Sequence, residues 1–226
     1  MKVIDNLILL FIVWPIGIFL GLIFTLLRCL GRIKIINWQR FPARQKNLIV
    51  VANHPSFLEP VLLPLLFFPE YLKDPFSVPW STPDSGLMKI LFWLKSRVIA
   101  INRAEVGSLD RVISFRKMIK VLQNGGRIIL FPEAGRTFKQ KKWCFSQKGK
   151  KIGVLSKGVI FLAIKTKALV LPVWVDGAED ALPNNKFPFP RFWRAQVKIK
   201  IGQPLNITSR EEVDLDQVLL SLADEE

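Results

Sequence analysis

The sequence holds a single histidine, His54, within Asn53-His54-Pro55-Ser56-Phe57-Leu58-Glu59. An imidazole titrates near neutral pH, so it can take a proton from an alcohol. A carboxylate that accepts one ring N–H fixes the tautomer and stabilises the imidazolium. Glu59 stands five residues on. If a helix begins just after His54, Glu59 lies about one turn along it, and its side chain can turn back to the ring. The same spacing also suits a histidine that only caps or packs. Ser56 is the nearest hydroxyl, but it lacks the Gly-x-Ser-x-Gly setting of a strained nucleophile.

A second chemically loaded stretch is Phe131-Pro132-Glu133-Ala134-Gly135-Arg136-Thr137, with an acid and an arginine after an apolar run. Arg103 closes a third, Val98-Ile99-Ala100-Ile101-Asn102-Arg103. A guanidinium can grip phosphate through two parallel hydrogen bonds, so both arginines are candidates for an anionic substrate. The two cysteines, Cys29 and Cys144, have no metal-type spacing, and one histidine cannot complete a zinc site with them.

These residues need a scaffold that brings distant loops together. Asn47 to Ala52 predicts a buried strand, followed after Ser56 by a helix broken near Pro64. Further strands are expected at 97–101, 127–131, 169–175 and, as an edge or late strand, 196–201. Helices are expected at 86–94, 109–123 and 157–165. Asn124-Gly125-Gly126 is a C-terminal stop signal, and Ser209 with Glu212 suggests a capping box for a last helix. Strands alternating with helices predict an α/β fold with a largely parallel central sheet flanked by helices. In such folds active residues gather past the carboxyl ends of strands, where His54, Glu59, Arg103, Glu133 and Arg136 fall.

Residues 7–27 carry no charge. As one helix they match a hydrocarbon core of about 30 Å. Pro15, Gly17 and Gly21 allow a kink, or a helical hairpin in one leaflet. Arg28, Arg32, Lys34, Arg40, Arg44 and Lys46 follow, which places this end on the cytoplasmic side by the positive-inside rule. The expected organisation is a membrane anchor with a basic juxtamembrane segment over 1–44 and a catalytic domain over 45–226.

The formal net charge is +15, and no Lys or Arg follows Arg210. Between Ala134 and Val175 there are ten basic residues and no acid. This balance predicts an anionic partner. A basic nucleic-acid-binding module would explain the charge but not the apolar segment, and no nucleic-acid-binding motif is present, so nucleic acid is not expected as a partner.

Taken together, the blocks resemble the glycerolipid acyltransferase family, best known from the 1-acylglycerol-3-phosphate acyltransferases. Asn53 to Glu59 is similar to its Asn-His-x-x-x-x-Asp block, Ile101-Asn102-Arg103 to the second, Phe131 to Thr137 to Phe-Pro-Glu-Gly-Thr-Arg-Ser, and Val170 to Val173 to Val-Pro-Val. The resemblance covers roughly residues 45–205. It implies His54 as general base, Glu59 as its orienter, and Arg103, Glu133, Gly135 and Arg136 around the glycerol phosphate. It implies an acyl-CoA or acyl carrier protein co-substrate, lipid partners, and no cofactor or metal. Backbone N–H groups after His54 or Glu133 are the expected oxyanion donors. The chain departs from the pattern at Glu59 (usually Asp), at Ala134-Gly135 (usually Gly-Thr), at Arg97 (often Gly), and in an apparent insertion over 139–151.

Overall fold

The computed structural model describes residues 2–83, 96–101, 109–133, 135–183, 191–193, 195–209 and 213–225. The chain opens with α1 (Lys2–Ile8), a π-helical turn (Leu9–Val13) and α2 (Trp14–Cys29). Then come β1 (Ile33–Ile36), β2 (Leu48–Ala52), α3 (Glu59–Leu65), α4 (Phe68–Tyr71) and β3 (Trp80–Ser81). The middle holds α5 (Leu109–Gln123), β4 (Arg127–Leu130), β5 (Trp143–Phe145), β6 (Lys151–Gly153) and α6 (Gly158–Thr166). The last part holds β7 (Leu169–Asp176), α7 (Ala178–Ala181), β8 (Val197–Ile201), β9 (Leu205–Asn206) and α8 (Leu215–Asp224).

Seven strands form one sheet in the order β1-β8-β7-β2-β4-β3, with β9 also on β7. β3, β4, β2 and β7 run parallel; β8 and β9 oppose β7. All five residues of β2 are buried, which is why it reads as a continuous apolar run: a central parallel strand is covered on both faces. Leu48, Val50 and Ala52 point into one core with Phe67 and Leu171. Ile49 and Val51 point into the other, against Met118, Leu162 and Leu219 from α5, α6 and α8. This is the expected α/β architecture.

Five details add to or differ from the sequence reading. β8, expected as an edge or late strand, is late in the chain but interior to the sheet, between β1 and β7, and β1 takes the edge. Ile33 of β1 is 2% exposed, so the sheet already begins inside the stretch assigned to the anchor and juxtamembrane segment. Residues 97–101 form a single parallel bridge, Val98 to Ser81, extended by N–H bonds from Ile99 to Ser81 and from Ile101 to Pro83. α8 is capped by Asp214, whose side chain accepts from the N–H groups of Asp216 and Gln217; Glu212 and the expected helix over 86–94 lie outside the described residues. Residues 139–151, read as an insertion, contribute β5 and pair it with β6 in a separate two-stranded sheet.

The first segment is one helical rod, not a hairpin. Pro15 has no N–H to give Phe11, and the turn before it widens so that Trp14 N–H reaches Leu9 O. The helix is long and apolar enough to cross a membrane, over Val3–Cys29. One face is fastened to the domain: Trp14 Nε1 donates to Tyr71 O at 2.6 Å, Tyr71 OH donates to Gly17 O at 3.1 Å, and Phe24 is 3% exposed. On the opposite face Ile4, Leu7, Phe11, Phe19, Leu22 and Leu26 are exposed.

Gly21 sets how closely this helix approaches. A Cβ there would lie 2.1 Å from the Phe68 ring. Gly21→Val should therefore push the helix off α4, at a cost of about 1–3 kcal/mol. The expected result is a lower thermal midpoint and faster proteolysis near residue 30, whereas Phe19→Ser on the outer face should leave the midpoint in detergent unchanged.

Candidate active site

β2 delivers His54 to the carboxyl edge of the sheet. Asn53 fixes that edge: its Nδ2 donates to Val175 O at 2.9 Å, and its Oδ1 accepts from Val175 N at 2.8 Å. β2 is thereby stitched to β7 directly beneath the histidine. The imidazole is 8% exposed and stacks on Phe131 at 4.4 Å between ring centroids.

His54 Nδ1 lies 2.8 Å from Glu59 Oε2. The helix expected in the run after Ser56 starts at Glu59 itself, after a bend over residues 55–58. The carboxylate is 0% exposed and is held by Ser56, whose N–H donates to Oε1 and Oε2 at 3.2 and 3.1 Å and whose hydroxyl donates to Oε1 at 2.7 Å. The extra methylene of glutamate thus lets one carboxylate serve both His54 and Ser56. Ser56 is 0% exposed and spends its proton on Glu59, which removes it as a nucleophile. The signal for this contact was present in the sequence: Ser-x-x-Glu is the pattern in which a glutamate bonds back to a serine N–H.

Glu133 sits behind the histidine, with its carboxylate given to groups of the protein. It is 2% exposed. Oε1 accepts from the His54 N–H at 2.8 Å and from the Thr137 hydroxyl at 2.8 Å; Oε2 accepts from the Gly153 N–H at 2.8 Å. Thr137 N–H returns to His54 O at 2.9 Å. Burial pushes the Glu133 pKa up, and the donors from Gly153, His54 and Thr137 oppose that. The N–H groups of His54, Ser56 and Thr137 are therefore all committed, which narrows the expected oxyanion donors.

Arg136 lies across the mouth of this loop. Its guanidinium carbon is 3.8 Å from the Phe57 ring centroid and 4.8 Å from that of Phe138. Burial lowers its pKa, and the nearby Glu59 charge opposes the shift. Gly135 leads into it, with room for a Cβ only 3.2 Å from Gln140 Nε2. Arg103 lies outside the described residues. Phe131 also walls a cavity of about 250 Å³, mostly apolar, with Ile101, Phe115, Met118 and Leu162. Among the described residues no cluster of His, Cys, Asp and Glu could hold a metal ion.

A glutamine at 133 offers one acceptor oxygen where three donors converge, so its amide NH₂ must face an N–H or hydroxyl. Glu133→Gln should lower stability by about 1–3 kcal/mol, the cost of stranding a buried donor. Chemical denaturation measures this; a loss below about 0.5 kcal/mol would mean that the loop relaxes around the amide.

The geometry has counterparts in known proteins. The Acyltransferase family profile matches residues 32–176. A Dictyostelium discoideum protein named Taffazin is 26% identical over 186 residues, covering 80% of this chain and 60% of its own length. The chloroplastic 1-acyl-sn-glycerol-3-phosphate acyltransferase LPAT1 of Arabidopsis thaliana is 22% identical over 68% of this chain and 38% of its own length. A 1-acyl-sn-glycerol-3-phosphate acyltransferase of Chlamydomonas reinhardtii is 25% identical over 69% of this chain and 42% of its own. The chain thus spans between 38% and 60% of the length of these relatives. The crystal structure of the 1-acyl-sn-glycerophosphate acyltransferase PlsC from Thermotoga maritima has the same fold, with a TM-score of 0.58 at 22% identity over 92% of this chain and 74% of that one. The profile runs unbroken from the first strand of the sheet through His54, Glu59, Glu133 and Arg136 to the end of β7, more than half of the sequence, and the chain belongs to the acyltransferase family.

Proposed function

We propose that this protein transfers a fatty acyl group from a thioester to the hydroxyl of a lysophospholipid, with 1-acylglycerol-3-phosphate as acceptor. The observation that carries this reading is the buried Glu59–His54 pair at 2.8 Å, with Ser56 bound to Glu59. Such a pair has a base and its orienter but no enzyme nucleophile, which suits direct attack by the acceptor.

The acceptor hydroxyl approaches His54 Nε2, the ring nitrogen not turned to Glu59. His54 takes the proton as the hydroxyl oxygen bonds to the thioester carbonyl carbon. Glu59 stabilises the imidazolium. Collapse of the tetrahedral intermediate breaks the C–S bond, and the imidazolium proton goes to the departing thiolate of coenzyme A or an acyl carrier protein. Arg136 holds the acceptor phosphate, pre-oriented between Phe57 and Phe138. The apolar cavity behind Phe131 takes acyl chain. Arg103 belongs to the phosphate site by resemblance alone. The Arabidopsis and Chlamydomonas relatives, both named as 1-acyl-sn-glycerol-3-phosphate acyltransferases, favour this acceptor.

The N-terminal helix holds the domain to a membrane. One face is bonded to α4 while the other is an exposed apolar stripe, which suits a helix lying in the membrane surface. Arg28, Arg32 and Lys34 follow it, and the positive-inside rule puts the domain on the cytoplasmic face. A second reading is a relative that binds lipid without transferring acyl groups, favoured by glutamate in place of the family's aspartate.

Membranes carrying the protein, labelled acyl-CoA or acyl carrier protein, and a panel of lysophospholipids separate the two readings. Acceptor-dependent label in lipid is expected. His54→Ala should lower it about 10²- to 10⁴-fold while the protein stays folded and membrane-bound. Thioesters left intact with both donors would leave the silent reading standing.

Arg136→Ala should raise the acceptor concentration needed for half-maximal rate and leave the donor requirement alone. Arg136→Lys should recover only part, since an ammonium lacks the bidentate fork. A raised donor requirement instead would place this arginine on the donor's phosphates.

A further inference from the structure

A second site lies at the opposite end of the sheet. Lys46 precedes β2 and Arg127 opens β4, whereas His54 follows β2. Seven residues, five of them the strand β2, separate Lys46 from His54, or roughly 20 Å. Here a cavity of about 380 Å³ is walled by Arg44, Lys46, Lys73, Arg97 and Arg127. Among the described residues two acids, Glu70 and Asp74, face them in that wall.

Arg127 is 8% exposed. Its Nη1 pairs with Glu70 Oε2 at 2.5 Å, its Nε donates to Gln45 O at 2.9 Å and its Nη2 donates to Ala43 O at 2.7 Å, while Glu70 Oε1 is buried with no hydrogen bond among the described residues. Arg97 Nη2 donates to Phe76 O at 2.9 Å, and its guanidinium lies over Trp80 at 5.2 Å. Its Nε is buried with no hydrogen-bond partner among the described residues. Arg97 is also a position where this chain leaves the family pattern.

Arg97 and Val78 have a second side. They also wall an apolar groove of about 210 Å³ between the N-terminal helix and α3, bordered by Val13, Ile16, Leu20 and Val61. Ile16 and Val61 are 39% and 43% exposed, so the groove opens beside the apolar stripe of the helix. Exposed Leu72 and Phe76 continue that apolar surface to the rim of the cationic cavity. A cationic chamber and an apolar groove thus share a wall at the membrane-facing side.

We propose that the two together bind one anionic phospholipid of the bilayer, its phosphate in the cationic cavity and one acyl chain in the groove beneath the helix. Charge complementarity selects the head group, and burial of methylenes retains the chain. This lipid is neither acceptor nor product. It clamps the helix to the domain and sets the distance of the catalytic edge from the bilayer.

The test is titration calorimetry of the full chain in mild detergent with short-chain phosphatidylglycerol, which has anionic charge but is no lysophospholipid. Dihexanoyl phosphatidylglycerol should bind once per chain. Dihexanoyl phosphatidylcholine and inorganic phosphate should each bind at least tenfold more weakly, on the order of a lost charge or chain. Lys46→Gln with Lys73→Gln, both exposed, should weaken phosphatidylglycerol roughly tenfold or more. Ile16→Ser with Val61→Ser should blunt the gain from dihexanoyl to dioctanoyl chains. His54→Ala should leave binding unchanged. Inorganic phosphate binding as tightly as the lipid would mean a free-anion site and overturn the proposal. So would phosphatidylcholine binding equally well, indifference to the lysine pair, or loss of binding in His54→Ala, which would put the lipid at the catalytic edge.

Discussion

A carboxylate with no exposure to solvent is costly unless every lone pair is answered. Glu59 meets that demand with three groups from one turn of chain: the Ser56 N–H, the Ser56 hydroxyl and His54 Nδ1. The bend over residues 55–58 exists to bring them together, and α3 can start only where it ends. Because Nδ1 is held, the ring presents its other nitrogen outward. Because the backbone N–H of His54 is held by Glu133, the ring cannot slide along the strand edge. Two buried carboxylates, one on the side chain and one on the backbone, fix a single imidazole from two directions.

The second carboxylate explains why distant loops are needed. Glu133 follows β4, His54 follows β2, and Gly153 ends β6. Parallel β2 and β4 bring the first two side by side in the sheet. The third arrives through the β5–β6 pair, formed from the lysine-rich stretch. That stretch therefore has a structural task at its base even though its outer surface is charged. Its Phe145 is 63% exposed, yet its far end is tied to the domain as well: Ser146 Oγ donates to Asp224 Oδ1 at 2.7 Å, and Lys150 pairs with Asp176 at 2.9 Å.

Much of the scaffold was legible because it rests on periodicity and burial. The five apolar residues of β2, the 109–123 helix and its glycine stop all follow from local chemistry. What was not legible depends on neighbours. Alternating polarity in β8 suggested an edge or late strand and could not tell the two apart; the strand is late and lies between two others, and Lys200 is 6% exposed, with its ammonium on the carbonyls that close α8. Glu133 was placed around the glycerol phosphate by resemblance, and sequence gives no sign of which way such a side chain turns. The spacing of His54 and Glu59 put both on one loop. It could not choose between a helical turn and the bend that is found, and Ser56 decides that choice.

The arrangement of apolar surface bears on how a lipid could approach the His54–Glu59 pair. An acyl chain leaving a bilayer must keep its methylenes covered, at about 0.8 kcal/mol for each one left in water. Exposed apolar side chains lie on both the helix and the turn before α3. The outer stripe of the helix leads to Val61 on α3, two residues from Glu59, and Phe57 is 49% exposed on the turn just before it. Phe57 then carries the guanidinium of Arg136 on its face. A chain can follow this surface while its phosphate travels toward a cation. The helix is packed so closely at Gly21 that a Cβ there would lie 2.1 Å from the Phe68 ring, and that closeness, which one glycine permits, sets where its exposed apolar stripe lies relative to the turn that holds His54.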